Sequence, residues 1–228
     1  MRTLIVNPFG IGDVLFSLPL AHALRMTYPD GHLTYLCNRR TEGLVRIWPM
    51  LDQIVVFEKD EFRALWKRSR LKAAQQIGKL IRSIHTHRFD AMLDLSLGWH
   101  YSLGGILAGI PRRIGFNYRG RGKFLTDWMD IDGFHEQPVA QYYLDLLPLL
   151  GFHPRPLDGF TPLPVPDAVQ QKADRVLETY RLDYQTRLIG MVPGGGTSWG
   201  SNAQFKQWAP DRFARVGAEL IRNHSATL

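Results

Sequence analysis

Apolar runs and amphipathic stretches alternate along the chain. Residues 3–6 (TLIV) form a short run closed by Asn7 and Pro8. A loop with Gly10 and Gly12 follows, and Asp13 opens an amphipathic segment carrying Val14, Leu15, Leu18 and Leu24. This reads as strand, glycine loop and helix, with an acid at the helix start. Further strand-like runs fall over 32–37, 53–57, 91–95 and, shorter, 112–116. Between them, helices are expected over 41–48 (stopped by Pro49), 60–87 (one or two helices with a basic outer face), 101–108 and 135–150 (stopped by Gly151). Strands without polar alternation suggest burial on both faces, as in a parallel sheet. Strand and helix in turn predict an α/β fold with right-handed crossovers. Residues 117–134 break the pattern: polar, aromatic and glycine-containing, they read as a long surface loop.

The prolines at 154, 156, 162, 164 and 166 make a stiff, donor-poor stretch that marks a domain boundary. We therefore expect an N-terminal domain over 1–153, a linker over 154–166 and a second unit over 167–228. That unit reads as a helix over 167–180, a strand over 188–192, a second glycine-rich loop (PGGGT, 193–197) and a helix over 210–222. One strand cannot make a sheet. Either this unit adds to the first domain, or the chain is a piece of something longer.

Composition narrows the function classes. The 228 residues are 45% hydrophobic and 21% charged, enough apolar mass for a core. A net charge of +7 favours an anionic partner, but the basic residues are dispersed, so nucleic-acid binding gains little support. The single cysteine, Cys37, forms no internal disulfide, reads as inert packing and fits a reducing compartment. Arg2, the following apolar residues and Ala21-His22-Ala23 imitate a secretory signal, but Asn7, Pro8, the glycines and Asp13 interrupt its core. No stretch approaches the roughly 18 apolar residues of a membrane span. The expectation is a cytoplasmic protein, peripheral to a membrane surface at most.

In an open α/β sheet, ligands bind beyond the carboxyl ends of the strands. Asp13 falls there, although an aspartate at a helix start is also a favoured N-cap. Gly10 and Gly12 allow a close backbone approach to a ligand, or serve plain turn geometry. Asp94 and His100 flank the end of the fourth strand. Arg119, Arg121 and Lys123 make the 117–134 segment basic, as an anion grip or as a solvated loop. Trp199 and Trp208 are candidates for stacking on a ligand or for simple packing. His85 and His87 are two apart and diverge on a helix, so no metal site is expected. A dinucleotide oxidoreductase begins in the same way, but Leu15 stands where the third glycine belongs. The second strand also ends in Cys37-Asn38, without an acid for a ribose.

Two stretches, NPFGIGDVLFSLP near the N-terminus and VPGGGTSWGSNAQFKQWAPDRFARV over 192–216, resemble glycosyltransferase family 9, the lipopolysaccharide heptosyltransferases. FDAMLDLSLGWHYSLGGILAGIPRRIGF and HEQPVAQYYLDLLPLLG are similar to segments between them. The resemblance implies a GT-B-like fold of two facing Rossmann-like domains, acceptor-binding first and donor-binding second. It implies an inverting, metal-independent transfer without a cofactor, from a nucleotide-sugar donor such as ADP-heptose to an anionic glycolipid acceptor at the inner membrane. Asp13 would be the general base, with Gly10, Gly12, Arg119, Arg121 and Lys123 at the acceptor. Gly194, Gly195, Gly196, Thr197, Ser198 and Lys206 would hold the leaving diphosphate, through N–H groups of the kind that cradle phosphate. Family members are longer than this chain, and their later Asp-Thr-Gly-like turn has no counterpart here. The expectation is a donor domain cut short, with self-association through its open edge. The alternative is a non-catalytic member that keeps only acceptor binding.

Overall fold

The computed structural model describes residues 1–152, 163–182, 187–193, 207–224 and 226–227. It divides into two compact units, Met1–Pro164 and Val165–Leu228.

The first unit is built on a parallel six-stranded sheet. Its strands are β1 (Arg2–Val6), β2 (His32–Cys37), β3 (Gln53–Val56), β4 (Ala91–Asp94), β5 (Arg112–Tyr118) and β6 (Asp127–Ile131). Their order is β3-β2-β1-β4-β5-β6, and every pairing is parallel. The helices are α1 (Ile11–Phe16), α2 (Leu18–Thr27), α3 (Arg39–Val45), α4 (Lys59–Arg68), α5 (Arg70–Thr86), α6 (Trp99–Leu107) and α7 (Val139–Leu144).

The unalternating strand sequences are explained by two covered faces. Ile5 of β1, Leu33 and Tyr35 of β2 and Leu93 of β4 enter one cluster with α1, α2 and α7. Their neighbours Leu4, Val6, Leu36 and Met92 enter a smaller cluster on the other face, under α5 and α6. Cys37 lies in the first cluster without solvent exposure, and burial pushes its thiol up to about 11, which makes it inert.

Three readings of the pattern need correction. The first helix is two, because Pro19 has no N–H to continue the ladder. Ser17 fills the break: its hydroxyl donates to the Val14 carbonyl at 2.7 Å and meets the Tyr35 hydroxyl at 2.6 Å.

The segment 117–134 is not a loop throughout, since it contains β6. Parallel neighbours usually need a crossover of about a dozen or more residues, commonly a helix. Here residues 119–126 suffice. Arg119 (φ 53°) and Gly120 (φ 70°) turn the chain through the left-handed region. Asn117 Oδ1 then accepts from the Gly122 N–H at 2.9 Å. β6 alternates half-buried Asp127, Met129 and Ile131 with exposed Trp128 and Asp130, as a charged edge strand does.

The helix expected over 135–150 is also shortened. Pro138 sets the start of α7, and a 3₁₀ turn over Pro148–Leu150 ends at Gly151, φ 95°.

The second unit holds α8 (Asp167–Thr179) and α9 (Pro210–His224). The strand expected over 188–192 is reduced, among the described residues, to one parallel bridge between Leu188 and Thr227. Ile189 N–H donates to the Thr227 carbonyl and Thr227 N–H to the Arg187 carbonyl, both at 2.9 Å.

Glycine positions give a stability test. A Cβ on Gly115 would lie 2.5 Å from the Asp94 carbonyl oxygen of the paired strand, whereas one on Gly78 of α5 meets open space. Gly115→Ala should therefore cost about 1–3 kcal/mol. Gly78→Ala should gain about 0.5–1 kcal/mol from helix propensity. Urea unfolding of both variants checks the opposite signs.

Candidate active site at the carboxyl ends of β1 and β4

β1 is paired on one edge with β2 and on the other with β4, so the chain order reverses across it. A crevice opens beyond the strand ends at such a switch point. Two asparagines hold the loop that leaves β1. Asn7, without solvent exposure, continues β1 with an N–H bond to the Leu36 carbonyl at 3.0 Å. Its side-chain amide donates to the Asp13 carbonyl at 3.0 Å, and its Oδ1 accepts from the Phe9 N–H at 3.3 Å. Asn38, directly after β2, donates to the Pro8 carbonyl at 3.1 Å and to that of Phe9. Its Oδ1 caps α3 through the Thr41 N–H at 3.1 Å. The loop 7–10 is thus held from beneath by side-chain amides. Neither asparagine stood out in the sequence, because Asn after a strand reads as ordinary turn chemistry.

Asp13 does not cap α1. Gly10 occupies the N-cap with no side-chain bond, and Asp13 lies in the first turn, where its charge suits the helix dipole. The residue is half-buried, between exposed Gly12 and buried Val14. Among the described residues its carboxylate has neither a hydrogen bond nor an ion pair. A Cβ on Gly10 would lie 3.9 Å from Asp13 Oδ2, and one on Gly12 would meet nothing within 4 Å. Tyr143 of α7 is near enough to feel the Asp13 charge, and its buried hydroxyl has no hydrogen-bond partner among the described residues. Burial, and then the Asp13 charge, hold that phenol far above its ordinary range.

At the next strand end, Asp94 is 3% exposed and its Oδ1 accepts from the Ser96 N–H at 3.0 Å. Its Oδ2 has no hydrogen-bond partner among the described residues. Burial outweighs the hydrogen bonds from Ser96 and pushes the carboxyl up to about 6. Trp99 and His100 start α6 with their rings stacked 4.0 Å apart. Burial lowers the His100 pKa, helped by the charges of Lys59 and Arg63.

The basic residues after β5 divide. Lys123 sits 5.1 Å over the Trp99 ring and 5.0 Å over Phe124. Arg119 and Arg121 instead lie over Tyr118, at 4.9 and 5.8 Å. None has a carboxylate partner among the described residues. Gly10, Gly12 and Asp13 therefore gather at β1, Lys123 joins Trp99 at β4, and the arginines stand at β5.

Gly194, Gly195, Gly196, Thr197, Ser198, Trp199 and Lys206 lie outside the described residues. Trp208 is exposed and meets the Phe213 ring edge-on at 5.1 Å. His85 Nδ1 meets the Ala108 carbonyl at 3.0 Å and His87 Nδ1 the Ser83 carbonyl at 2.6 Å.

No family model matches the chain. It is 22% identical to lipopolysaccharide heptosyltransferase 2 of Escherichia coli over 97% of its own length and 60% of that protein. The Salmonella typhimurium enzyme of the same name gives the same figures. Among solved structures, ADP-heptose heptosyltransferase II of E. coli superposes with a TM-score of 0.68 at 22% identity, covering 97% of this chain and 62% of that one. A family 9 glycosyltransferase from Veillonella parvula reaches 0.75 at 20% identity, covering 97% and 60%. The chain resembles the family 9 heptosyltransferases. It shares their GT-B-like α/β fold and spans about 60% of the length of the curated relatives it matches.

Asp94 gives the site a pH signature. Its carboxyl titrates at about 6 when folded, against 3.8 ordinarily, so the folded state holds the extra proton between those values. Stability should fall as pH rises from about 4 to about 6, by up to a few kcal/mol, and then level off. Asp94→Asn should flatten that slope and stabilise the protein at neutral pH. Thermal unfolding from pH 4 to 7 checks both.

Proposed function

We propose that this chain is the acceptor-binding part, with the beginning of the donor-binding part, of an inverting sugar transferase. The donor is a nucleotide sugar, ADP-heptose by the likeness to the heptosyltransferases, and the acceptor is an anionic core glycolipid at the inner membrane. The observation that carries the reading is the Asp13 carboxylate: unpartnered among the described residues, set at the strand switch point and facing open space at Gly10 and Gly12.

The chemistry follows from that placement. A sugar hydroxyl seated over Gly10 and Gly12 gives its proton to Asp13 as its oxygen bonds to the anomeric carbon. The bond from that carbon to the donor diphosphate breaks on the opposite face, and the electron pair leaves with the nucleotide. Charge developing on the diphosphate is met by N–H groups of Gly194, Gly195 and Gly196, hydroxyls of Thr197 and Ser198, and the Lys206 ammonium, following the family motif. Arg119, Arg121 and Lys123 hold anionic groups of the acceptor. The net charge of +7 suits an anionic acceptor.

Asp13→Asn keeps the size of the side chain and removes the base. It should lower transfer from ADP-heptose by about 10²–10⁴-fold with little change in KM. Lys206→Ala should weaken ADP-heptose binding at least about tenfold, or about 1.4 kcal/mol, by calorimetry. Transfer indifferent to Asp13→Asn, or no ADP-heptose binding at all, would overturn the reading.

A further inference from the structure

The sheet face opposite α1, α2 and α7 is incompletely filled. A cavity of about 900 Å³ lies there, floored by Leu4, Val6 and Met92. Ile77, Leu80, Ile81 and Ile84 of α5 line it at helical spacing, yet all stay only half-buried. Ala73 alone is buried in α5, and no residue is buried in α4. The volume lies within the roughly 300–1,000 Å³ of small-molecule sites.

The rim has the opposite character. Lys59, Arg63 and Lys67 follow one another at four-residue steps on α4, and all three line the cavity. Lys59 and Lys67 have no carboxylate partner among the described residues, and Arg63 reaches only Asp60, at 3.7 Å in an exposed pair. His100 lines the same end, and its lowered pKa reflects, after burial, the nearness of Lys59 and Arg63. Tyr101 also lines the cavity, with a buried hydroxyl that has no hydrogen-bond partner among the described residues. Glu58 is the acid felt at Tyr101 beside Asp94. The balance at the rim remains cationic.

We propose that this cavity binds a single-chain anionic amphiphile, a long-chain carboxylate, with its chain along α5 and its head at Lys59, Arg63 and Lys67. A wholly apolar guest would leave the rim charges and the Tyr101 hydroxyl unused. A soluble anion would leave the cavity empty. Trp99 and His100 line this cavity as well as the strand-end site, but the proposal uses neither Asp13 nor the donor residues, and binding of a carboxylate is read separately from sugar transfer.

Gly104 of α6 supplies the test. It lines the cavity, and a Cβ there would meet nothing within 4 Å. Gly104→Leu should fill the space without disturbing the fold. The measurement is displacement of a fluorescent fatty acid by laurate and by dodecanol. We expect laurate to compete at least tenfold better than dodecanol. Gly104→Leu should weaken laurate at least tenfold with the melting temperature held or raised. Lys59→Glu with Arg63→Glu, both on the surface, should weaken laurate at least tenfold and leave dodecanol unchanged. No probe binding, equal competition by the alcohol, or laurate binding unmoved by either variant would overturn the proposal.

Discussion

Everything in the first unit depends on β1 being paired along both edges and buried on both faces. The parallel ladders to β2 and β4 align the three carboxyl ends, so the loops leaving these strands emerge at one place. Side chains along a strand alternate between faces, so a slip of one residue would exchange Ile5 with Leu4 and Val6. It would also withdraw Asn7 from the Asp13 carbonyl and dismantle the loop between them. The apolar packing of β1 thus fixes where Asp13 stands.

Polar burial at this edge is arranged unequally. Asn7 and Asn38 are buried with both side-chain functions engaged, which makes the loop rigid without an unsatisfied group. Asp94 is buried with one oxygen engaged and the other bare among the described residues, and burial raises its pKa. Asp13, by contrast, is only half-buried and open to solvent. The loop spends its hydrogen bonds on backbone carbonyls and leaves the carboxylate free. A group placed in this way can meet a ligand without first breaking an internal bond.

The apolar runs made five strands and the α/β class legible, because continuous burial on two faces leaves an unmistakable pattern. The sixth strand was hidden by Asp127 and Asp130 and by a crossover too short to hold a helix. The break in the first helix was written at Pro19, but the bond between Ser17 and Tyr35 that fills it joins residues distant in sequence. The place of Asp13 just beyond the end of β1 followed from strand, loop and helix order. Its role in the first turn, rather than at the cap, depended on the backbone geometry of Gly10. The division of Lys123 from Arg119 and Arg121 rests on ring contacts that no spacing encodes.

The two faces of the sheet also differ in a way that bears on the crevice. The loop after β1 leads into α1, whose Val14 is locked in the larger cluster with α7. The loop after β4 leads into α6, which covers the sparsely filled face beside α4 and α5. Regions with few buried apolar contacts open at lower free energy than the core. The crevice therefore has one wall set by dense packing, which carries Asp13, and one wall with room to adjust, which carries Trp99 and His100.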